Sequence, residues 1–124
     1  LKYFPGPSRA REIIAKTKSI GAGVLGIRPV QGGALTDAID RDLPSDHGVV
    51  TDYAKTANYR VLAKELGTTP AALAHRYALA MKGVDTVVLG CKNTAELKEC
   101  VIAEANGPLE PDIIARIDAA VSRN

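Results

Sequence analysis

The sequence predicts an α/β fold, in which parallel strands form a sheet and helices pack on its outside. Two short apolar runs, at 24–27 and 84–89, are typical of buried strands. Amphipathic segments with capping residues lie before, between and after these runs, and they are typical of helices. Because strands that alternate with helices usually belong to a parallel sheet, we expect the two strands to run in the same direction.

The first helix and the first strand precede a long loop. Ser8 is suited to cap the helix, and a glycine at 21 or 23 is suited to end it. Pro29 should end the strand, because proline cannot continue a central ladder. The loop then runs from about Arg28 to Thr51, a length that usually marks a functional or mobile segment. The residues expected on the inward face of the helix are Ala10, Ile13, Ile14 and Thr17.

Four more helices are predicted around the second strand. Asp52 should begin a helix that Gly67 closes, and Thr69 with Pro70 should open the next one. The third spans Asn93–Ala105, and the fourth begins at Pro111. The inward positions of these helices are expected at Ala57, Val61, Leu62, Leu66, Leu73, Ala74, Tyr77, Ala78, Met81, Ile113, Ile114, Ile117 and Val121.

Composition narrows the class of protein. Hydrophobic residues make up 46% of the 124 residues, which is enough for a packed core. The net charge is only +2, so charge by itself gives no reason to expect a nucleic acid or a membrane as partner. The spacing of Cys91 and Cys100 fits neither a zinc knuckle nor a redox motif, so reduced thiols in the cytoplasm are expected. The chain begins at Leu1, and we expect it to be an interior piece of a longer polypeptide.

Both apolar runs end in a turn that is suited to an anion. After the second run, Gly90 and Lys92 precede a helix that Asn93 can cap, with Glu96 at the capping-box position. The positive end of a helix favours negative charge. After the first run, the segment 28–36 begins with an arginine and contains two adjacent glycines, which let a backbone approach a ligand closely. In a parallel sheet both turns lie at the same edge, as a dinucleotide would require.

The sequence resembles the aldo-keto reductase family over about Ile13 to Ala120. VLGIRPVQGGALT resembles the seventh strand and cofactor loop of that family, and VDTVVLGCKNTAELKE resembles its eighth strand and adenosine-phosphate loop. LAKELGTTPAALAHRYAL and GPLEPDIIARID resemble two of its helices, in the same order. The resemblance implies a (β/α)₈ TIM barrel. This chain would be its C-terminal part, about the last two β/α units plus a closing helix, as one partial domain over residues 1–124.

The resemblance also implies an extended nicotinamide dinucleotide, NADP or NAD, and hydride transfer between this cofactor and a carbonyl or alcohol. Lys92 stands where the family usually has an arginine at the 2′-phosphate, which favours NADP. Arg28 replaces the usual serine, Leu89 a proline, and Cys100 the asparagine that contacts adenine. Carried over by position, the cofactor residues are Arg28, Pro29, Val30, Gly33, Leu35, Leu89, Gly90, Lys92, Glu96, Glu99 and Cys100.

No catalytic residue is assigned in this chain. The Asp, Tyr, Lys and His set of the family comes from the first half of the barrel, and nothing in this sequence matches that half. A complete barrel needs about 250 residues. We therefore expect the isolated chain to hold the cofactor, but not to transfer hydride to a small carbonyl substrate. Two strands also leave sheet edges unpaired, so self-association is expected.

Two other functions fit parts of the sequence, namely DNA binding and cofactor binding without catalysis. Leu62–Met81 has the outline of a DNA-binding helix-turn-helix, but its second helix starts with Thr69, Pro70 and two alanines, which do not read base edges. A non-catalytic module that binds a nicotinamide cofactor would keep the same loops, so this sequence does not separate it from an enzyme. Other polar residues are expected to serve packing or solvation rather than metal binding: His47, His75, Tyr53, Tyr59 and Tyr77.

Overall fold

The computed structural model describes residues 9–122. Helices and strands follow the predicted order, with one helix more than expected. The predicted cap at Ser8 lies outside the described residues. The elements are helix α1 (Arg9–Ser19), strand β1 (Leu25–Ile27), a 3₁₀ turn (Gln31–Gly33), and helices α2 (Gly48–Lys55), α3 (Ala57–Glu65) and α4 (Pro70–Ala80), then strand β2 (Thr86–Val88) and helices α5 (Thr94–Ala105) and α6 (Pro111–Ser122).

Strands β1 and β2 form a two-stranded parallel sheet, as predicted. The register pairs Leu25 with Thr86 and Ile27 with Val88. Asp85 extends the pairing by one residue, because its N–H donates to the Val24 carbonyl at 2.9 Å. Its carboxylate also accepts the Val24 N–H at 2.7 Å and pairs with Lys18 of α1 at 2.8 Å. These contacts attach α1 to the start of the sheet.

The hydrophobic core lies between the helices rather than on the sheet. Helices α3, α4 and α6 supply most of it, and Leu35 from the turn after β1 and Leu109 from the segment before α6 supply the rest. The hydroxyl of the buried Tyr59 donates to the Pro70 carbonyl at 2.7 Å, which joins α3 to the start of α4. The core residues are Leu35, Tyr59, Leu62, Ala63, Leu73, Ala74, Tyr77, Leu109, Ile117 and Val121.

The expectation that the strands are buried is wrong for this chain. Leu25 is 63% exposed, Ile27 69% and Val88 49%. Helix α1 has no buried residue, and Ile13 on its expected inward face is 56% exposed. The apolar pattern correctly marks faces that favour burial, but no segment within residues 9–122 covers them.

The loop from Arg28 to Thr51 is shorter and more ordered than predicted. It contains the 3₁₀ turn, and α2 begins at Gly48, so Asp52 lies inside a helix instead of starting one. His47 caps α2, because its Nδ1 accepts the Val49 N–H at 3.1 Å. Thr56 separates α2 from α3, where a single helix was predicted. Its hydroxyl lies 2.9 Å from the Ala34 carbonyl and equally far from the Tyr53 carbonyl three residues earlier, and a local side-chain contact of the second kind competes with helix continuation.

The caps of α4 and α5 are confirmed. The Thr69 hydroxyl accepts the Ala72 N–H at 3.0 Å, and the Asn93 side chain accepts the Glu96 N–H at 2.9 Å. A cap of this kind stabilises a helix by about 1 kcal/mol. Within residues 9–122, every helix is too short or too polar to span a lipid bilayer.

Candidate functional site

A cleft of about 540 Å³ lies where the turn after β1 faces the turn after β2. This volume is within the range of small-molecule sites. Gly32 and Gly33 line one side, Gly90 and Lys92 line the other, and the buried His75 of α4 lies at the base. The parallel pairing of β1 and β2 is what brings the two turns together, because both follow the carboxyl end of their strand.

The turn after β1 has an unusual backbone. Arg28 and Gln31 have φ values of 55° and 53°, in the left-handed region that residues with a side chain rarely adopt. Each such residue costs about 1–3 kcal/mol, and this strain is commonly found at ligand-binding positions. Gly32 follows with a φ of 67°, where glycine carries no such cost. The backbone strain therefore falls on the segment that lines the cleft.

Two guanidinium groups lie close to Gly32. The terminal nitrogens of Arg28 and Arg41 are 3.1 and 3.5 Å from the point that a Cβ on Gly32 would occupy. Arg41 also donates to the Gly32 carbonyl. The Gly33 N–H is already used, since it donates to the Val30 carbonyl at 2.9 Å. Positive charge at this turn thus comes from two arginine side chains more than from the glycine amide that the sequence suggested.

The second turn leads into the capped N-terminus of α5. The Glu96 carboxylate accepts the Lys92 N–H at 2.9 Å, so the helix cap and the turn share two hydrogen bonds. The Lys92 ammonium pairs with Glu96 at 3.3 Å and more closely with Asp40 from the other side of the cleft. Hydrogen bonds from Lys92 lower the pKa of Asp40, and the bonds to Asp40 and Glu96 raise the pKa of Lys92. Lys92 is therefore charged, and it is held by two carboxylates.

The base of the cleft holds two thiols and an imidazole. The Cys91 and Cys100 sulfur atoms are 3.9 Å apart, and both cysteines are free thiols. The two ring nitrogens of His75 lie 3.7 and 3.8 Å from the Cys100 sulfur. Burial raises the pKa of Cys100 to about 11 and lowers the pKa of His75. Both groups are therefore neutral at pH 7.

Helix α5 is tied to α4 on the outer side of this base. The Thr69 hydroxyl donates to the Glu99 carboxylate, so the residue that caps α4 also holds a side chain of the cleft. This bond places Glu99 at the rim, near Cys100. It gives the second turn a rigid support, because α4 is anchored in the helical core.

The cleft collects many of the residues that the resemblance indicates. Leu35 is not among its lining residues: its side chain is completely buried in the helical core. Arg28 is not among the lining residues either, although its guanidinium lies beside Gly32, which is. Pro29 and Leu89 are also absent from the described lining. The predicted residues that line the cleft are Val30, Gly33, Gly90, Lys92, Glu96, Glu99 and Cys100.

Sequence reasoning missed several lining residues. Asp37, Asp40 and Arg41 lie in the segment that was expected to be an undefined loop. The thiol of Cys91 and the ring of His75 were assigned no role in the cleft. A charged cluster in a long loop beside two glycines is a weak signal for Asp40 and Arg41. No local signal predicts that His75 and Cys100, 25 positions apart, are in contact.

Comparison with known proteins identifies the family. The model of the Aldo/keto reductase family matches residues 3–122, and the chain belongs to that family. Its members are oxidoreductases with a TIM-barrel fold that generally use NAD(P)H, and the α/β organisation of this chain agrees with that fold class. A search among curated proteins finds no match to the chain.

Proposed function

We propose that this chain is the cofactor-binding, C-terminal part of an aldo-keto reductase barrel, and that its cleft holds the phosphate-bearing end of NADP or NAD. The observation that supports this most is the meeting of two turns, each with its own cations, at one cleft. The turn at Gly32 has Arg28 and Arg41, and the turn at Gly90 has Lys92. One set would face the pyrophosphate and the other the ribose phosphate.

The pyrophosphate is assigned to the side of Gly32. Two guanidinium groups within 3.5 Å of one point offer forked donors to phosphate oxygens. Backbone hydrogen bonds from Gln31 to the Arg28 carbonyl and from Gly33 to the Val30 carbonyl hold the turn in one shape before the ligand arrives, so less ordering is needed on binding. A side chain at Gly32 would crowd these guanidinium groups, since its Cβ would lie 3.1 Å from the terminal nitrogen of Arg28.

The choice between NADP and NAD depends on Lys92 and its carboxylate partners. Asp40 and Glu96 neutralise the ammonium by pairing with it. A 2′-phosphate would have to replace at least one of them, whereas a ribose hydroxyl would donate a hydrogen bond to a carboxylate directly. Lys92 favours NADP, and we propose that Asp40 limits this preference.

The catalytic residues for hydride transfer are proposed to come from a part of the barrel that this sequence does not contain. The open sheet supports this, because Leu25, Ile27 and Val88 expose apolar side chains where further strands and helices of a barrel would pack. The same surfaces would make the isolated chain self-associate. A binding module without catalysis has the same cleft, and the Tyr and Lys of the upstream half would distinguish it from a reductase.

Nucleotide titration tests the proposed site. We expect NADP and NAD to bind the chain, and Lys92→Ala to weaken NADP by about tenfold, the effect of losing one charge-assisted contact, with a smaller effect on NAD. Asp40→Asn should strengthen NADP relative to NAD. Lys98→Ala, on helix α5 that follows the turn of Lys92 but outside this cleft, is the matched control and should change neither affinity. Equal losses for Lys92→Ala and Lys98→Ala would refute the site.

Enzyme assay tests the assignment of chemistry. The purified chain should not oxidise NADPH in the presence of small aldehydes or ketones, even at concentrations that saturate binding. Turnover in this assay, abolished by a substitution within the chain, would show that the chain holds its own catalytic residues.

A further inference from the structure

The two cysteines at the base of the cleft are separated by nine positions in the sequence, yet their sulfur atoms are only 3.9 Å apart. A disulfide requires a sulfur separation of about 2 Å. Cys100 lies on α5 and is buried, whereas Cys91 lies in the turn after β2 and is exposed. The neighbouring Gly90 has no atom within 4 Å of the position of a Cβ, so the turn has room to move. A shift of the exposed turn that carries Cys91 toward the buried Cys100 would therefore close the remaining gap.

We propose that Cys91 and Cys100 form a reversible disulfide when the chain meets a peroxide, and that this bond restricts the nucleotide cleft. The consequence for binding rests on the function proposed above, whereas the formation of the bond does not. Intracellular disulfides in most organisms are transient and sense redox state, so this reading is compatible with thiols that are reduced at rest.

The chemistry assigns a different role to each sulfur. The exposed Cys91 thiolate attacks hydrogen peroxide, the O–O bond breaks, and sulfenic acid forms while the leaving hydroxide takes a proton from solvent to become water. The Cys100 sulfur then attacks the Cys91 sulfur and displaces its oxygen as hydroxide, which takes a second proton from solvent to become water. Cys91 and Cys100 together lose two electrons, and the peroxide gains them. The Cys100 proton passes to the imidazole of His75, which is 3.7 Å away, and from there to solvent.

The order of attack follows from the surroundings of the two thiols. Burial raises the pKa of Cys100 to about 11, so it is a poor nucleophile toward peroxide in solution. His75 is kept neutral by the same burial, which lowers its pKa and leaves a ring nitrogen free of a proton. Cys100 therefore reacts second, once a sulfenic acid is held beside it.

The bond would change the site because both sulfurs line it. Cys91 immediately precedes Lys92, so drawing Cys91 toward α5 moves the turn that carries the ammonium. The disulfide would also occupy the base of the cleft beside Glu99. Binding and oxidation should then oppose each other reciprocally, with bound nucleotide slowing disulfide formation.

The test begins with the mass of the chain and does not depend on nucleotide. Treatment with hydrogen peroxide should remove both free thiols and lower the monomer mass by two hydrogen atoms, and dithiothreitol should reverse this. Cys91→Ser and Cys100→Ser should instead add oxygen or form disulfide-linked dimers. Sulfinic acid on both cysteines of the unaltered chain, or intermolecular dimers alone, would overturn the proposal.

The second measurement separates the redox site from the cofactor site. Oxidised chain should bind NADP several-fold more weakly than reduced chain, and Cys91→Ser should bind NADP equally before and after mild peroxide treatment. If the intramolecular disulfide forms but affinity is unchanged, its regulatory role is refuted. If the reduced chain binds no nucleotide while the disulfide still forms, the proposed function fails and the thiol chemistry stands.

Discussion

The helical part of the molecule and the strand pair differ in how completely they are packed. In α3, α4 and α6, apolar residues at helical spacing meet one another, and Ile117 is fully buried. In β1, Ile27 has the same side chain and is 69% exposed. The two regions follow equally clear sequence patterns. The comparison shows that the apolar sequence pattern predicts which face of a helix or strand favours burial. Whether that face is buried depends on whether another segment packs against it.

The difference also explains where the cleft obtains its stability. The turn after β1 is anchored by Leu35 in the helical core and by the Thr56 bond to the Ala34 carbonyl. The turn after β2 is anchored through α5, which packs on α4. Both sides of the cleft are thus supported by helices, and they do not require a completed sheet.

The largest expected effect is on the free energy of unfolding, and it should appear when two isoleucines, one buried and one exposed, are replaced by alanine. Ile117→Ala should lower the free energy of unfolding by about 2–5 kcal/mol, because it leaves a cavity in the helical core. Ile27→Ala removes the same atoms from an exposed strand and should cost less than about 1 kcal/mol. Urea denaturation of the two variants measures both values. Comparable losses would mean that the strand face is covered in solution, and a concentration-dependent midpoint would identify self-association as the cover.

A smaller effect concerns the pH dependence of stability. Burial lowers the pKa of His75 below its usual 6.5, so the unfolded chain binds a proton more readily than the folded chain. The contribution to stability is therefore complete above pH 6.5 and decreases as the pH falls. The urea midpoint should drop between about pH 7.5 and about pH 5.5, where histidine titrates.

Variants of the two histidines provide the check for this pH effect. His75→Gln should flatten the dependence between these pH values. His47→Asn, which replaces the exposed cap of α2 with another capping residue, should keep it. If the pH dependence of stability persists in His75→Gln and disappears in His47→Asn, then His47 and not His75 causes it, and the prediction is wrong.

The smallest effect is expected at the open end of the sheet. The Lys18 ammonium and the Val24 N–H lower the pKa of Asp85, so its contribution to stability is present above its usual value of 3.8 and disappears as the pH falls through the lowered pKa. Asp85→Asn should reduce stability slightly at neutral pH. It should match the unaltered chain at strongly acidic pH. Because the pair is exposed, 1 M salt should reduce the difference as well.

Helix ends were largely predictable because their causes are local. Thr69 and Asn93 cap the helices assigned to them, since a side-chain oxygen needs only an amide a few residues away. The division of α2 from α3 was not predictable, because Thr56 bonds to the Ala34 carbonyl, which lies 22 positions earlier. The exposure of the strands was also missed, because apolar sequence does not report whether a neighbouring strand exists.

The candidate site shows the same division. Gly32, Gly90 and Lys92 were predicted from turn and cap patterns and lie at the cleft. Asp40 and Arg41 were not predicted, because their positions depend on how the segment between β1 and α2 returns across the cleft. Their charges alter the site considerably, since one neutralises Lys92 and the other reinforces Arg28.

The sequence by itself determined most of the helices, the caps of α4 and α5, the two parallel strands and the resemblance to a reductase family, because the signals for these lie in residues close together in the chain. Only the tertiary structure decided which apolar faces are covered, which cations face the cleft, and that Cys91 and Cys100 are in contact. Those outcomes depend on packing between distant segments, in which each contact is set by the position of all the others.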